Sequence, residues 1–445
     1  MLEVLNTLLW GPGTLALILG TGAWLTLRTG GFPQRNLGRA LTLSLGREAR
    51  RKGRGGVSPF GSLMTALAST VGTGNIVGVA AALVSGGPGA LVWMELAALL
   101  GLASKFAECM LAVKYRHVRR DGTRWGGPMA VMETRLGSAG AVLGRFYALF
   151  ALLMAFAMGA MAQSGALADT FFAAFTLPRW RVGLVTAVLA LAILLGGIRR
   201  IAEISTVLVP VMALLYLGGG LAVILGNLRR LPEALILMLR CAVAPEAALG
   251  GALGIVTRRE ALRWGVARSV FSNEAGLGSA SITAACADTD EPVKQGLISM
   301  TGVFFDTMVI CTVTGLAICC SGTLGAADGN GLPLTGAALT LRAFETVLGP
   351  LAPWLIGAAL GLFAFTSVLG CAVQAETTAS YLLGPEAVRP CRVLYGLAVF
   401  VGAVIPMATV LQLADLANAL MAFSNLVCLL LLSGEIAGEC GRKER

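Results

Sequence analysis

Residues 70–80 read TVGTGNIVGVA, inside a run that carries no Asp, Glu, Lys or Arg between Arg54 and Glu95. A stretch of that length and apolarity can cross a bilayer core as a helix. Its centre, Gly72-Thr73-Gly74-Asn75, combines two poor helix formers with a side chain that competes for backbone hydrogen bonds. Lipid supplies no water to a broken helix. Unwound backbone at membrane depth is therefore tolerable only where it is buried in protein or lines a cavity. A break also frees N–H groups on one side and carbonyls on the other.

The rest of the chain supports a membrane setting. Of 445 residues, 56% are hydrophobic and 13% charged, against about 25% charged in soluble domains. Apolar spans fall at approximately 8–27, 58–84, 89–113, 141–175, 181–197, 204–225, 247–285, 296–319, 349–382, 393–411 and 415–435, about eleven in all. The expected class is an all-α polytopic membrane protein, since the alternating ten-residue segments of a barrel are absent. Glu3 precedes the first apolar run without any Lys or Arg, and no small-x-small site follows it. That run reads as a retained helix rather than a signal peptide.

The net charge of +10 does not point to nucleic acid, because the basic residues alternate between loops. Residues 28–54 carry Arg28, Arg35, Arg39, Arg47, Arg50, Arg51, Lys52 and Arg54. Lys114, Arg116, Arg119, Arg120, Arg124 and Arg135 mark a second loop, and Arg442, Lys443 and Arg445 the tail. By the positive-inside rule these segments are cytoplasmic, with the N-terminus outside and the C-terminus inside. One run, Arg258-Arg259-Glu260-Ala261-Leu262-Arg263, falls on the outer side, where a re-entrant or interfacial segment would accommodate it. The ten cysteines are scattered without a CxxC pair, and His117 stands in a basic loop. Neither a disulfide framework nor a metal cluster is expected.

A second interruption matches the first. Phe271-Ser272-Asn273-Glu274-Ala275-Gly276-Leu277-Gly278-Ser279 again places glycines and polar residues in mid-span. With the first helix set aside, the two interrupted spans are the first and sixth of ten. That arrangement points to an inverted-repeat transporter with discontinuous helices at its binding site. The freed N–H groups suit a carboxylate, and the freed carbonyls suit a dehydrated cation and an ammonium. Close helix packing by small residues is the competing explanation for any one glycine pair.

The residues also resemble a known family. GTGNIVGVAAALVSGGPGALVWMELAALLGLASKFAECMLAVKYR (72–116), GGPM (126–129), WGVARSVFSNEAGLGSASI (264–282), PVKQGL (292–297) and VFFDTMVICT (303–312) are similar to the alanine/glycine:cation symporters, also called sodium:alanine symporters. The resemblance implies a leucine-transporter-type five-plus-five inverted repeat with one extra N-terminal helix and two broken helices. Its divisions would be 1–57 (extra helix and basic loop), 58–225 and 226–435 (the two repeats), and 436–445 (tail). It implies Na⁺- or H⁺-driven uptake of a small neutral amino acid across a bacterial plasma membrane, with no cofactor beyond the coupling ion. The substrate residues it implies are Gly72, Thr73, Gly74 and Asn75 in the first break, Phe271, Ser272, Asn273, Gly276 and Gly278 in the second, and Gln163. For Na⁺ it implies the hydroxyls of Thr366 and Ser367 with carbonyls of Ala68 and Val71, hard oxygens for a hard cation. A Thr-Ser pair in a helix can equally back-bond to its own carbonyls.

The chain departs from the family pattern in places. Val92-Trp93-Met94-Glu95 replaces FWMW, Ala130-Val131 follows GGPM in place of two tyrosines, and Gly165 replaces Asn. Gly370-Cys371-Ala372-Val373-Gln374-Ala375-Glu376 replaces GWSYYGE. Cys371 at a Trp position leaves room for a substrate larger than alanine, unless it faces lipid or a neighbouring helix.

Charges within spans each require a reason, because insertion at the bilayer centre costs about 2.5–3.5 kcal/mol. Lys105 and Glu108 are expected to form a local ion pair near the inner end of their helix. Asp306 is expected to anchor helix packing or to border the pathway. Glu274 is expected to cap freed N–H groups or to gate the cavity, and Glu95 to sit in a solvated vestibule. No nucleophile–base–orienter set suggests an enzyme. A non-transporting amino-acid sensor of the same fold is the alternative.

Overall fold

The computed structural model describes residues 9–51, 57–118, 122–243, 246–248, 255–327 and 331–444. Glu3, Lys52, Arg54, Arg119, Arg120 and Arg445 lie outside the described residues. Helix α1 spans Pro12–Arg28, α2 Pro59–Thr70, α3 Val77–Gly86, α4 Gly89–Lys114, α5 Pro128–Met154 and α6 Gln163–Phe175. They are followed by α7 (Arg179–Leu194), α8 (Gly197–Gly226), α9 (Leu231–Val243), α10 (Arg258–Asn273) and α11 (Ser279–Ala285). The remainder are α12 (Pro292–Val303), α13 (Thr312–Ser321), α14 (Gly336–Leu348), α15 (Ala352–Leu383), α16 (Val388–Val404), α17 (Met407–Leu431) and α18 (Ser433–Glu444). Wide π-helical turns at Ala155–Ala162 and Phe304–Cys311 join α5 to α6 and α12 to α13.

Local sequence explains the boundaries. Ser58 caps α2 by accepting from the Gly61 N–H at 3.0 Å, with Pro59 in the first turn. Gly127 (φ +134°) precedes Pro128, which opens α5, and Gly137 (φ 63°, ψ −139°) kinks it. The GGPM motif therefore forms a short arm of its own. The long arm begins beyond Gly137, close to the expected 141.

The run around Arg258 opens helix α10. Thr257 and Glu260 form a capping box, with the Glu260 N–H donating to Thr257 Oγ1 at 3.3 Å and the Thr257 N–H to Glu260 Oε2 at 3.0 Å. Arg258, Arg259 and Arg263 are exposed on the opening turns of α10. Helices α9 and α14 fill segments expected to be loop.

Among the described residues, seven helical stretches are long and apolar enough to cross a membrane, and the bent pair formed by α2 and α3 makes an eighth. The chain is an integral membrane protein. Helices α7, α8 and α16 turn exposed apolar side chains outward, among them Val185, Leu189, Leu214, Leu225 and Leu394. Helix α4 is buried along most of its length, packed against α1, α10, α11 and α12.

One end of the bundle is laced by charges. The guanidinium of Arg116 donates to the carbonyl of Ala287 at 2.6 Å, and Arg124 pairs with Asp288 at 2.7 Å. The Asp288 N–H reaches the Val57 carbonyl at 2.8 Å, tying the end of α11 to the start of α2. Lys114 and Arg135 hold Glu435 of α18. Lys443 donates to Glu291 at 3.0 Å, and this bond holds that carboxyl below its ordinary range.

Candidate functional site

The two interruptions meet in the middle of the bundle. Helix α2 ends at Thr70. Val71 and Gly72 run extended (Gly72 φ −134°, ψ −160°), and Thr73–Asn75 form a tight turn before α3. The axes on either side differ by 63°. Asn75 holds the turn: its Oδ1 accepts from the Gly72 N–H at 3.0 Å. Gly72 is dictated by proximity, since a Cβ there would stand 2.8 Å from Ser367 Oγ. Gly74 is different, with no heavy atom within 4 Å of the same position. Thr73 and Gly74 are half-buried, while Gly72 and Asn75 are buried.

In the second break, α10 stops at Asn273. Glu274 adopts a left-handed conformation (φ 53°), followed by Gly276 (φ +88°) and Gly278 (φ +81°) before α11. Asn273 Oδ1 accepts from the Ala275 N–H at 2.9 Å, a local bond that supports the turn.

Asp306, in the π-helical turn after α12, binds both breaks together. Asn75 Nδ2 donates to its Oδ1 at 2.7 Å, Ser272 Oγ to its Oδ2 at 2.6 Å, and Thr307 Oγ1 to Oδ2 at 2.9 Å. Asn75 Nδ2 also reaches Ser272 Oγ at 3.1 Å, and Asn273 Nδ2 donates to Thr307 Oγ1 at 3.0 Å. A fully buried carboxylate is tolerable here because three donors converge on it. Asp306 thus anchors the two breaks to each other, and it does so through residues of the expected site. On the opposite side of the first break, Thr73 Oγ1 donates to Gln163 Oε1 at 3.3 Å. Phe271 is half-buried, with the Arg268 guanidinium 5.6 Å from its ring centroid.

The expected site residues thus divide. Gly72, Thr73, Asn75, Gln163, Ser272 and Asn273 share one network, with Gly74 and Phe271 at its half-buried edge. Ser367 Oγ donates to the Val71 carbonyl at 3.4 Å, and a Cβ on Gly370 would lie 2.9 Å from the Ala68 carbonyl carbon. The hydroxyl of Thr366 turns the other way, to the carbonyls of Leu362 and Phe363 at 2.9 and 3.0 Å and to Met212 Sδ at 3.2 Å. Cys371 is apart from the network. It packs on Gly159, where a Cβ would approach its own Cβ to 2.2 Å, beside Tyr395. Close helix approach fills the space that a Trp would take.

Two placements differ from expectation, those of the Gly276 and Gly278 amides and of Glu274. The amides of Gly276 and Gly278 are already bonded, to Glu108 Oε2 at 3.2 and 3.1 Å. Glu274 does not cap them; its carboxylate takes the Ser279 hydroxyl. Glu95, expected in a solvated vestibule, is part-exposed and accepts from Thr312 Oγ1 at 2.8 Å. Asn425 of α17 joins Glu108 at 3.1 Å. The signal available for it was a polar side chain inside a membrane span, one it shares with Asp415 and Asn418 of the same helix.

A model of the sodium:alanine symporter family matches residues 1–441. The chain belongs to the sodium:alanine symporter family. It is 41% identical to the sodium/alanine symporter AgcS of Methanococcus maripaludis over 441 residues, covering 99% of this chain and 96% of that one. It is 37% identical to the probable sodium/glutamine symporter GlnT of Bacillus subtilis, over 97% of this chain and 87% of that one. Among solved structures it is similar to MhsT in complex with L-phenylalanine, with a TM-score of 0.58 at 15% identity, covering 84% of this chain and 88% of that one. That likeness gives the fold alone. Family and fold neighbours are transporters, not enzymes. A sodium:alanine symporter has a use for two broken helices joined at mid-bundle.

Proposed function

We propose that the chain couples the influx of Na⁺ to uptake of a small neutral amino acid by alternating access. The observation that carries this reading is the junction of the two breaks through Asn75, Asp306 and Ser272, bordered by the half-buried Thr73, Gly74 and Phe271. The substrate carboxylate takes the N–H groups freed at Thr73 and Gly74, beside Gln163. The ammonium takes carbonyls at the C-terminal end of α10 near Phe271 and Ser272, where the helix dipole is negative. Na⁺ takes the Ser367 hydroxyl and the Val71 carbonyl, with the Ala68 carbonyl and, after a rotamer change, Thr366.

Around this site we read eleven spans: α1 as the extra helix, then two inverted sets of five. The N-terminus lies outside and the C-terminus in the cytoplasm of a bacterial plasma membrane. The seating of Cys371 against Gly159 favours a substrate near alanine in size over a widened pocket. The experiment is competition of labelled alanine uptake by unlabelled amino acids in proteoliposomes, in Na⁺ and in choline. Best competition by glycine, alanine and serine, in Na⁺ only, supports the reading. Equal uptake in choline at fixed pH removes Na⁺ as the coupling ion.

A further inference from the structure

The second break holds a pair of charges that the transport reading leaves unused. Lys105 and Glu108 stand one turn apart on α4, with side chains 2% and 0% exposed and Nζ 3.5 Å from Oε1. Lys105 Nζ donates to the Glu274 carbonyl at 3.1 Å, at the end of α10. Glu108 Oε2 accepts from the Gly276 and Gly278 amides at 3.2 and 3.1 Å and from Asn425 Nδ2 at 3.1 Å. Asn425 Nδ2 also donates to the Gly276 carbonyl at 2.9 Å.

An ammonium on a freed carbonyl and a carboxylate on freed amides are the partners a bound amino acid would take at a broken helix. We infer that Lys105 and Glu108 act as a resident zwitterion: positioning residues that fill residues 274–278 of the second break in place of a ligand and hold it unwound. The substrate carboxylate is then read at the first break. Two buried charges carry a large desolvation cost, which only good geometry and further hydrogen bonds offset. Here the two glycine amides and Asn425 supply those bonds. Gly276 and Gly278, both at positive φ, lie between the end of α10 and the start of α11, outside the hydrogen-bond ladder of either helix. The substrate side of this inference rests on the symport reading.

The test is backbone hydrogen–deuterium exchange on the full-length protein, with and without alanine plus Na⁺. Residues 274–278 are expected to be protected without ligand and unchanged by it, while Thr73 and Gly74 gain protection. Glu108→Ala is expected to raise exchange at Gly276 and Gly278 by about a hundredfold, the upper order for losing a hydrogen bond to a charged group. It is expected to lower maximal uptake while the alanine Kd stays within about twofold. Should that variant not fold, Lys105→Met and Glu108→Gln carry the test: each alone is expected to lose uptake, and the double variant to recover part of it. Alanine-induced protection at 274–278, or a parallel loss of alanine affinity in Glu108→Ala or the double variant, overturns the inference. If the wild type binds no small neutral amino acid, the transport reading falls. The ligand-free protection of 274–278 and its loss in Glu108→Ala still decide whether the pair holds the break.

Discussion

Gly72 and Gly74 stand two residues apart and meet opposite surroundings. At Gly72 a methyl group would press on Ser367 Oγ at 2.8 Å, whereas Gly74 opens onto free space. Gly72→Ala is therefore expected to cost about 1–3 kcal/mol as an overpacked site and to abolish Na⁺-dependent uptake. Gly74→Ala is expected to keep both fold and uptake. The longer Gly74→Leu fills that space beside the freed N–H groups and is expected to lose alanine binding at unchanged thermal stability. Thermal unfolding paired with uptake assays separates the three. The Thr366–Ser367 pair divides in the same way. Ser367 faces the Val71 carbonyl, while the Thr366 hydroxyl is spent on its own helix and Met212. Ser367→Ala is expected to raise the Na⁺ concentration for half-maximal uptake about tenfold, the loss of one bond to a charged group. A smaller shift is expected for Thr366→Ala. Unchanged Na⁺ dependence in Ser367→Ala excludes that hydroxyl from the ion site.

At the scale of elements, both broken helices were legible because Gly and Asn inside an apolar run contradict the local propensity of a membrane helix. Helices α9 and α14 were not. They are short amphipathic elements, and span-finding by sustained apolarity passes over them. The Lys105–Glu108 pair shows a second limit. Its i, i+3 spacing gave a complete local account, so nothing in the sequence demanded partners some 170 residues away on the second break. Cys371 shows a third. A substitution at one position reveals nothing of its complement, and here Gly159 lets the neighbouring helix close the space. Cys371→Trp is accordingly expected to lower the melting temperature, because the ring has nowhere to go, without shifting selectivity toward smaller substrates. A stable variant with altered amino-acid ranking contradicts that packing account.

For the whole molecule, the gradients set what one coupled ion can do. A Na⁺ ion moving down about 100 mV releases about 2.3 kcal/mol. A tenfold concentration difference adds about 1.4 kcal/mol. Together these support accumulation of a neutral amino acid by several hundredfold, enough for a scavenging carrier with a single ion site. A sensor with the same pocket would bind alanine and Na⁺ but would move neither. The most direct measurement is therefore concentrative uptake of labelled alanine into proteoliposomes under an inward Na⁺ gradient and an inside-negative potential. The account predicts accumulation well above the external concentration, abolished when choline replaces Na⁺ or when the gradient is collapsed. Saturable alanine binding without any accumulation, or accumulation indifferent to Na⁺, would contradict it.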